Sequence, residues 1–373
     1  MSLGKVQSPP KSAVVLLQTG QPTSAHEQHV HRHLAGQIAE LLGIPFAGVQ
    51  RGKSAPQQLY VVPDDTLIAP QPAISSDADL YGGVVTHPFM ATKAISHPLV
   101  DANARAPEGW NTRFIELASD VVLPGYSAFD VDDALRAGRQ LLQRGALRTK
   151  LVAGRAGRGQ QVIRSLAELE HWLGQQDAIR VREEGLVLEQ NLGAIATYSV
   201  GQTRVGNLVA SYFGTQKLTR ANDGEAVYGG SDLWVVRGDY RALVRQLDLP
   251  VARTVIAQAQ RYEQAAETAF PGFIASRRNC DVAVGHDPAG HQCSGVLEQS
   301  WRIGGASSAE IHALLAFAAD PTLQRVQAGS WEVYGAAPPI PESALVLYQG
   351  DDPATGPLTT GVRVRPWQPP AKL

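Results

Sequence analysis

The sequence has few of the features that mark secreted, membrane-bound or nucleic-acid-binding proteins. Its 373 residues contain only two cysteines, Cys280 and Cys293, and no signal peptide is visible, so reduced thiols are expected. No apolar run approaches the roughly 20 residues of a membrane-spanning helix. A formal net charge of −2 provides no general attraction for nucleic acid or for an anionic membrane. These absences predict a cytoplasmic protein without nucleic-acid or membrane partners, and they leave its oligomeric state open.

The composition is that of a globular protein, with 44% hydrophobic and 18% charged residues. Short apolar runs at residues 13–17, 59–62, 66–68 and 83–85 predict strands, and residues 26–42 carry apolar side chains at helical spacing. The strand–helix–strand order indicates an α/β unit with a partly parallel sheet. His26, His29 and His33 share one face of that helix, and a solvated face is favoured over a transition-metal site.

The segment from residue 87 to residue 98 is dense in titratable side chains between prolines. It contains His87, Lys93 and His97. Loops held by a rigid scaffold often carry binding and catalytic groups, so we predict that this segment lies near a functional site.

A carboxylate-bearing hairpin is predicted near the end of the chain. Asp281 opens one alternating apolar run and Glu298 closes the next, with turn residues between them. Two carboxylates brought together repel each other unless a cation lies between them, and oxygen ligands of this kind suit Mg²⁺. A surface hairpin with two solvated acids is the alternative interpretation.

A lysine and a glycine-rich loop precede this hairpin. Lys150 lies in a predicted strand at residues 147–152, and Gly154, Gly157 and Gly159 follow it closely. Backbone N–H groups of such a loop can approach phosphate oxygens, although the loop does not match the P-loop pattern. An ordinary hairpin loop is the alternative. Lys217 is predicted to lie in a later loop. There it either reaches a phosphate or an acceptor substrate, or it is a solvated cation.

The order of these features resembles that of the ATP-grasp superfamily, which includes biotin carboxylase, D-alanine–D-alanine ligase and glutathione synthetase. The shared elements are a strand lysine, a glycine flap, a helix, a strand ending in Glu189, and an acidic hairpin that closes on Glu-x-Ser-x-Arg. The resemblance spans roughly residues 85–315. Within the superfamily, the sequence is similar to a proteobacterial family defined as a domain of unknown function.

The resemblance implies an α/β fold of α+β lobes. It comprises an N-terminal pre-ATP-grasp-like domain (1–120), a small lid lobe with the flap (121–190), an ATP-grasp lobe with the metal hairpin (191–343), and a C-terminal hairpin with a Pro-rich tail (344–373). The two lobes would enclose a nucleotide cleft.

The resemblance also implies roles for individual residues. The phosphates of ATP would be contacted by Lys93, Lys150, the flap glycines and Lys217. The adenine would be contacted by Glu189, Asn191 and Leu192. Mg²⁺ would be bound by Asp281, Glu298 and Ser300. Lys150 and Arg302 would act in catalysis, with Arg302 stabilising an anionic substrate or intermediate.

The sequence departs from the family pattern at two places. Ser300 stands where the family has an asparagine ligand, and the segment Ala194-Ile195-Ala196-Thr197 lacks the acid that usually binds ribose. The implied function is an ATP- and Mg²⁺-dependent ligase that joins a carboxylate substrate to an amine or thiol acceptor through an acylphosphate. The alternative is an ATP-binding regulatory protein without ligase turnover.

Overall fold

The computed structural model of the chain describes residues 10–20, 23–152, 159–336 and 340–370. The first part contains β1 (Ala13–Gln18), α1 (Ala25–Leu42), β2 (Phe46–Arg51), β3 (Leu59–Pro63), β4 (Leu67–Ile68), β5 (Gly83–Val85), two 3-10 helices (Pro88–Ala91 and Lys93–Ser96) and α2 (Thr112–Ala118). Strand β1 lies between β2 and β3, and all three are parallel, as predicted. We call them the N-terminal sheet. A capping box of Ser24 and Glu27 begins α1, and Gly43 ends it in the left-handed conformation.

The second part forms a four-stranded antiparallel sheet, the small sheet. Its elements are β6 (Gly125–Ala128), α3 (Val131–Leu142), β7 (Leu147–Leu151), β8 (Gln160–Ile163), α4 (Leu166–Gly174), α5 (Ala178–Glu184) and β9 (Leu186–Gln190), with strand order β6-β9-β7-β8. Apolar residues of α3 and α4 cover one face. The predicted flap connects β7 to β8. Gly154 and Gly157 lie outside the described residues, and Gly159 has a φ of 73°.

The third part is built on an eight-stranded antiparallel sheet, the large sheet, with strand order β15-β14-β10-β11-β12-β16-β18-β17. Its elements are β10 (Gly193–Val205), β11 (Leu208–Arg220), β12 (Ala226–Arg237), α6 (Tyr240–Gln246), α7 (Pro250–Ala269), β13 (Ile274–Ala275), β14 (Arg277–His286), β15 (Gln292–Ser300), α8 (Ser307–Ala319), β16 (Arg325–Tyr334), β17 (Leu345–Asp352) and β18 (Gly356–Pro366). Helix α7 packs on one face, and α8 with α1 on the other.

The structure refines three sequence expectations. Residues 213–220 and 228–231 form strand rather than loop, because both segments pair across the middle of the large sheet. The Pro-rich tail contacts the large sheet as far as Gln368, whose carbonyl oxygen accepts a hydrogen bond from Trp234 Nε1 at 2.8 Å. On the histidine face of α1, His29 and His33 are exposed as expected, but His26 is buried and its Nδ1 lies 3.2 Å from Asp352 Oδ2.

The N-terminal part is joined to the large sheet by close backbone packing. Strand β13 pairs with β5 and completes a three-stranded sheet with β4. A side chain at Gly83 would place its Cβ 2.8 Å from Trp301 Cβ, so glycine permits the approach of β5 to the segment after β15. This packing fixes the N-terminal part relative to the carboxylate-bearing hairpin.

In the described part of the chain, no helix is both long and apolar enough to cross a membrane.

Candidate nucleotide and metal site

The carboxylate pair lies on adjacent strands of the large sheet. Strands β14 and β15 form the predicted hairpin, and their register places Asp281 directly opposite Glu298. The next pair is Val282 with Val296, so Leu297 is an extra residue on β15 and forms a bulge. Bulges re-aim the neighbouring side chains and are frequent beside active sites. The prediction that the two acids meet is confirmed by this register.

The two carboxylates have different electrostatic environments. Burial, followed by the nearby charge of Glu298, raises the pKa of Asp281 to about 6. Hydrogen bonds from Ser199 Oγ at 3.3 Å and Asn279 Nδ2 at 3.1 Å oppose this rise. Burial would also raise the pKa of Glu298, but the charge and hydrogen bond of Lys93, together with the charges of Lys150 and Arg302, hold that pKa below its ordinary value. A cation between the two carboxylates would relieve the repulsion at Asp281.

Lys93 reaches the pair from the 3-10 helix that it begins. Its Nζ atom lies 2.8 Å from Glu298 Oε2, and its side chain is 4% exposed whereas that of Glu298 is 39% exposed. The Thr92 hydroxyl accepts a hydrogen bond from the backbone N–H of Ala94, which fixes the start of this helix. Of the three titratable residues singled out in the segment, Lys93 contacts the carboxylate pair. His87 instead stacks on Phe89, with a centroid separation of 5.9 Å.

Lys150 and Glu189 form a buried ion pair on the small sheet. Their Nζ and Oε1 atoms are 2.5 Å apart, and the side chains are only 3% and 2% exposed. His97 Nε2 lies 3.3 Å from the other oxygen of Glu189. Burial would raise the pKa of Glu189, but the charge of Lys150 and the contact with His97 hold it at about 2. Lys150 is also near enough to help lower the pKa of Glu298, so the charges of the small sheet act on the carboxylate pair of the large sheet.

Ser300 is hydrogen-bonded to a buried arginine that sequence reasoning missed. Arg277 Nη1 donates to Ser300 Oγ at 2.9 Å, and it also donates to the carbonyl oxygens of Ser300 and Arg302 at 3.0 and 2.8 Å. Arg277 pairs with Glu310 at 2.7 Å, and their side chains are 2% and 0% exposed. A guanidinium beside Ser300 Oγ disfavours a second cation there, which argues against the predicted role of Ser300 as a metal ligand. Arg277 was missed because its partner Glu310 comes from the distant helix α8.

Arg302 points towards the N-terminal part of the chain. Its Nε atom lies 3.6 Å from Asp65 Oδ1, with the side chains 24% and 19% exposed. Its Nη1 donates to the carbonyl oxygen of Ile303 at 2.9 Å. Arg302 also contributes to the lowered pKa of Glu298, which places its charge beside the carboxylate pair.

The residues predicted to contact adenine lie where the small sheet meets the large one. Leu192 is 5% exposed and packs with Leu123 and Ala283, and Leu297 of the bulge joins the same apolar cluster. Asn191 Oδ1 accepts a hydrogen bond from Arg148 Nη2 at 2.9 Å. Asn191 also lines a cavity of about 430 Å³, together with Gly193, Ala194 and the hairpin tip at residues 286–288.

Lys217 lies farther along the large sheet, on β11, and its Nζ forms an ion pair with Asp232. Its side chain is 54% exposed. The predicted flexible loop is therefore a strand, and Lys217 is held by Asp232 rather than free to reach across a loop.

The two cysteines are free thiols: Cys280 is buried in the large sheet and Cys293 is partly exposed. Within the four described ranges, no group of three or more His, Cys, Asp or Glu side chains is placed to hold a metal ion. The donor set that fits Mg²⁺ is consequently the pair Asp281 and Glu298, with the remaining ligands from water or phosphate, as Mg²⁺ prefers.

The fold is similar to that of solved enzymes. Biotin carboxylase from Campylobacter jejuni, solved as a complex with an ATP analogue, matches with a TM-score of 0.51 and 11% identity, over 94% of this chain and 87% of that one. Phosphoribosylamine–glycine ligase from Thermotoga maritima matches with a TM-score of 0.49 and 13% identity, over 94% and 92%. No curated protein matches the sequence. The model of the family described as "Protein of unknown function (DUF3182)" matches residues 14–361. The chain therefore belongs to the DUF3182 family, and its fold is that of the ATP-grasp enzymes.

Proposed function

We propose that this protein is an ATP- and Mg²⁺-dependent ligase that joins a carboxylate to an amine or a thiol through an acylphosphate. The observation that carries the proposal is the direct opposition of Asp281 and Glu298, with Lys93 Nζ 2.8 Å from Glu298 Oε2 and Lys150 near enough to help lower the pKa of Glu298. Opposed carboxylates with two lysines nearby suit a metal-bound triphosphate, because the carboxylates can bind the metal ion and the lysines can bind the phosphate oxygens.

Different residues have different roles in the proposed reaction. Asp281 and Glu298 would hold the metal ion, which when bound neutralises charge on the phosphates. Lys93 and Lys150 would bind phosphate oxygens and stabilise charge as the γ-phosphoryl group moves to the substrate carboxylate and ADP leaves. Arg302 would then stabilise the oxyanion while the amine attacks the acylphosphate, loses a proton and displaces phosphate. Gly159 and the rest of the glycine flap would exclude water from that intermediate.

The adenine would bind between the two sheets. Leu192 and Leu297 supply an apolar surface there, and Asn191 lines the adjoining cavity. Glu189 is held by Lys150 and His97, so its role in binding the adenine amino group requires Lys150 to move towards the phosphates.

The proposal is tested by measuring ADP and phosphate release with a panel of small carboxylates and amines. Asp281→Asn should reduce turnover by at least about 100-fold, since removing one group that stabilises transition-state charge has effects of this size. Asp248→Asn is the control, because Asp248 is exposed, pairs with Arg253 at 3.2 Å and belongs to none of the proposed site residues. Wild-type turnover in Asp281→Asn would rule out its role as a metal ligand.

A second candidate function is ATP binding without ligase turnover. The contact between Arg277 and Ser300 favours it, because it leaves two carboxylates where the family pattern has three ligands. In that case Mg-ATP should raise the melting temperature by mass action, while no substrate in the panel stimulates phosphate release.

A further inference from the structure

We propose that Asn279 supplies a third protein ligand of the metal ion through its side-chain oxygen, in place of the asparagine that the family pattern has at position 300. This inference rests on the proposed function, since it concerns the ion that Asp281 and Glu298 would hold. It goes further by placing a ligand on β14 where the family pattern has it on β15, and by coupling metal binding to a turn of the Asn279 amide group.

Asn279 lies directly across the hairpin from Ser300. The register pairs Asn279 with Ser300. Two residues further along β14, it pairs Asp281 with Glu298. Side chains two residues apart on a strand share a face of the sheet, so those of Asn279 and Asp281 point to the same side. The hydroxyl of Ser300 is held by Arg277 at 2.9 Å, but an amide group is present on the opposite strand.

The separation of the two side chains on β14 suits a single Mg²⁺ ion. Asn279 Nδ2 lies 3.1 Å from Asp281 Oδ1. Octahedral Mg²⁺ binds oxygens at about 2.0–2.1 Å, which separates neighbouring ligand atoms by about 2.9 Å. The nitrogen and the oxygen of an amide exchange places when the group makes half a turn about its Cβ–Cγ bond. After this turn, an oxygen of Asn279 and an oxygen of Asp281 would have nearly the separation that the ion requires.

The contacts on the other side of the amide favour this half turn. The Tyr212 hydroxyl oxygen lies 2.8 Å from Asn279 Oδ1 and 2.7 Å from Glu310 Oε1. A phenol has one proton, and both of these neighbours are acceptors, so only one of the two contacts can be a hydrogen bond. Glu310 is the counter-ion of Arg277 and has no proton to donate. When the amide turns, Nδ2 donates to the tyrosine oxygen and the hydroxyl donates to the glutamate, so both contacts are satisfied.

The turned amide creates one contact that a cation satisfies. Its oxygen would face Asp281 Oδ1, and two acceptor atoms at this separation repel each other. A divalent ion between them removes the repulsion, and Glu298 is directly opposite to supply a further oxygen. Without metal, each orientation of the amide leaves one acceptor facing another, at Tyr212 or at Asp281. With metal bound, the turned orientation leaves neither contact unsatisfied.

The surroundings of Asn279 hold it in place for this role. Asn279 is 7% exposed, and Tyr212 behind it is fully buried. Tyr212 is fixed in turn by the pair of Arg277 and Glu310, whose side chains are at most 2% exposed. Metal ligands are commonly oriented by outer groups of this kind. The network that occupies Ser300 therefore also orients the amide that we assign in its place.

The test uses Mn²⁺ with a non-hydrolysable ATP analogue, because Mn²⁺ accepts the same oxygen ligands as Mg²⁺ and is paramagnetic. The protein is made by cell-free synthesis with asparagine labelled with ¹³C at the side-chain carbonyl. Electron–nuclear double resonance should show a ¹³C coupling from the carbon bonded to a metal-bound oxygen. The coupling should disappear in Asn279→Asp, which keeps an oxygen ligand but carries no label, while Mn²⁺ still binds.

The affinity for Mn²⁺ in the presence of the ATP analogue is a second readout. Asn279→Ala should weaken it by at least about 10-fold, since losing even an outer partner of a metal ligand has effects of this size. Asn222→Ala is the matched control and should bind Mn²⁺ as the wild type does. Asn222 is exposed, and its Nδ2 donates to the carbonyl oxygens of Thr355 and Pro357 at 2.6 and 3.1 Å. Those two residues belong to the hairpin of β17 and β18, at the other end of the strand order from β14 and β15.

Each outcome supports or overturns the assignment. The expected coupling, with its loss in Asn279→Asp, supports it. A wild-type protein that binds Mn²⁺ and the analogue without a ¹³C coupling overturns this inference and leaves the proposed function standing, even if Asn279→Ala binds Mn²⁺ more weakly. A coupling that persists in Asn279→Asp, or an unchanged affinity in Asn279→Ala, overturns it in the same way. Failure of the wild-type protein to bind Mn²⁺ together with the analogue overturns the proposed function and this inference with it.

Discussion

Lys93 and Glu298 form an ion pair of 2.8 Å between a buried lysine and a partly exposed carboxylate. The ammonium group thus occupies one side of the carboxylate that we propose as a metal ligand. A metal ion arriving without nucleotide would meet this charge, whereas nucleotide phosphates would draw the lysine towards themselves. Metal and nucleotide should therefore bind together more tightly than either binds alone.

Lys93→Met should raise the affinity of the nucleotide-free protein for Mn²⁺ by about 5-fold, because the competing charge is gone and such a pair contributes up to about 1 kcal/mol. The same change should weaken ATP binding. Electron paramagnetic resonance of free Mn²⁺ measures the first effect, and calorimetry the second. Lys11→Met, which removes a 2.8 Å pair with Asp79 away from the cleft, serves as the control. An unchanged or lower Mn²⁺ affinity in Lys93→Met would contradict the competition.

Asp281→Asn should stabilise the metal-free protein while it abolishes turnover. The pKa of Asp281 rises from 3.8 to about 6 in the folded state, so the unfolded chain loses this proton first as the pH increases. Stability therefore falls between about pH 4 and pH 6 and remains lower above that range. The variant lacks this penalty, so its melting temperature at pH 8 should exceed that of the wild type by roughly 2 °C, with a smaller difference at pH 4. Thermal denaturation at the two pH values in EDTA checks this.

Divalent-metal affinity should fall as the pH drops below about 6, because a protonated Asp281 cannot coordinate the ion. The decrease should approach about tenfold per pH unit, as for competition with one proton. Calorimetric titrations with Mn²⁺ and an ATP analogue between pH 5 and pH 8 measure it. A pH-independent affinity over this range would show that Asp281 does not bind the metal.

Glu263→Gln should stabilise the protein at alkaline pH. Glu263 is 3% exposed, and burial, only partly offset by Arg278, raises its pKa to about 7. Stability is thus lost as the pH rises from about 4.5 to 7, by up to about 3 kcal/mol. Glutamine keeps an acceptor for the Tyr240 hydroxyl, which lies 2.9 Å from Glu263 Oε1. Urea denaturation at pH 5 and pH 8 should show a gain only at pH 8.

The control for this change is Glu267→Gln, which alters a half-exposed glutamate that contacts the same Arg278. Its effect on the free energy of unfolding should stay within about 0.5 kcal/mol at both pH values. Equal stability of Glu263→Gln and wild type at pH 8 would mean that the buried carboxylate carries no such penalty.

Glu310→Ala should destabilise the protein by about 3–5 kcal/mol, because Arg277 would remain buried without its counter-charge. Glu184→Ala removes an exposed partner of Arg180 on α5 and should cost at most about 1 kcal/mol. Denaturant titration compares the two. A cost below 1 kcal/mol for Glu310→Ala would show that the Arg277 network does not anchor the segment that holds Ser300 and Arg302.

The sequence was sufficient to predict features that depend on local patterns. Alternating apolar residues around a polar turn correctly predicted the hairpin and the meeting of Asp281 with Glu298. Helical spacing correctly predicted α1 to within one residue. Each of these depends on side chains that are close in sequence, where period and turn chemistry determine the structure.

Features that depend on distant contacts were not predictable in this way. The bulge at Leu297 arises from the pairing of two strands. The sequence pattern of neither strand alone indicates it. Strand β2 was missed because it is an edge strand that is mostly exposed, and β16 because small and polar residues weaken its alternation. The hydrogen bond from Arg277 to Ser300 depends on Glu310 from α8, so no local sequence motif indicates it.

The pairing of β13 with β5 makes the early part of the chain dependent on a late one. During translation, β5 emerges from the ribosome long before residues 274–275 exist to cover it. Until then one edge of this short strand has no hydrogen-bonding partner. The first 120 residues produced as a separate fragment should consequently be less stable than the same residues followed by the large sheet.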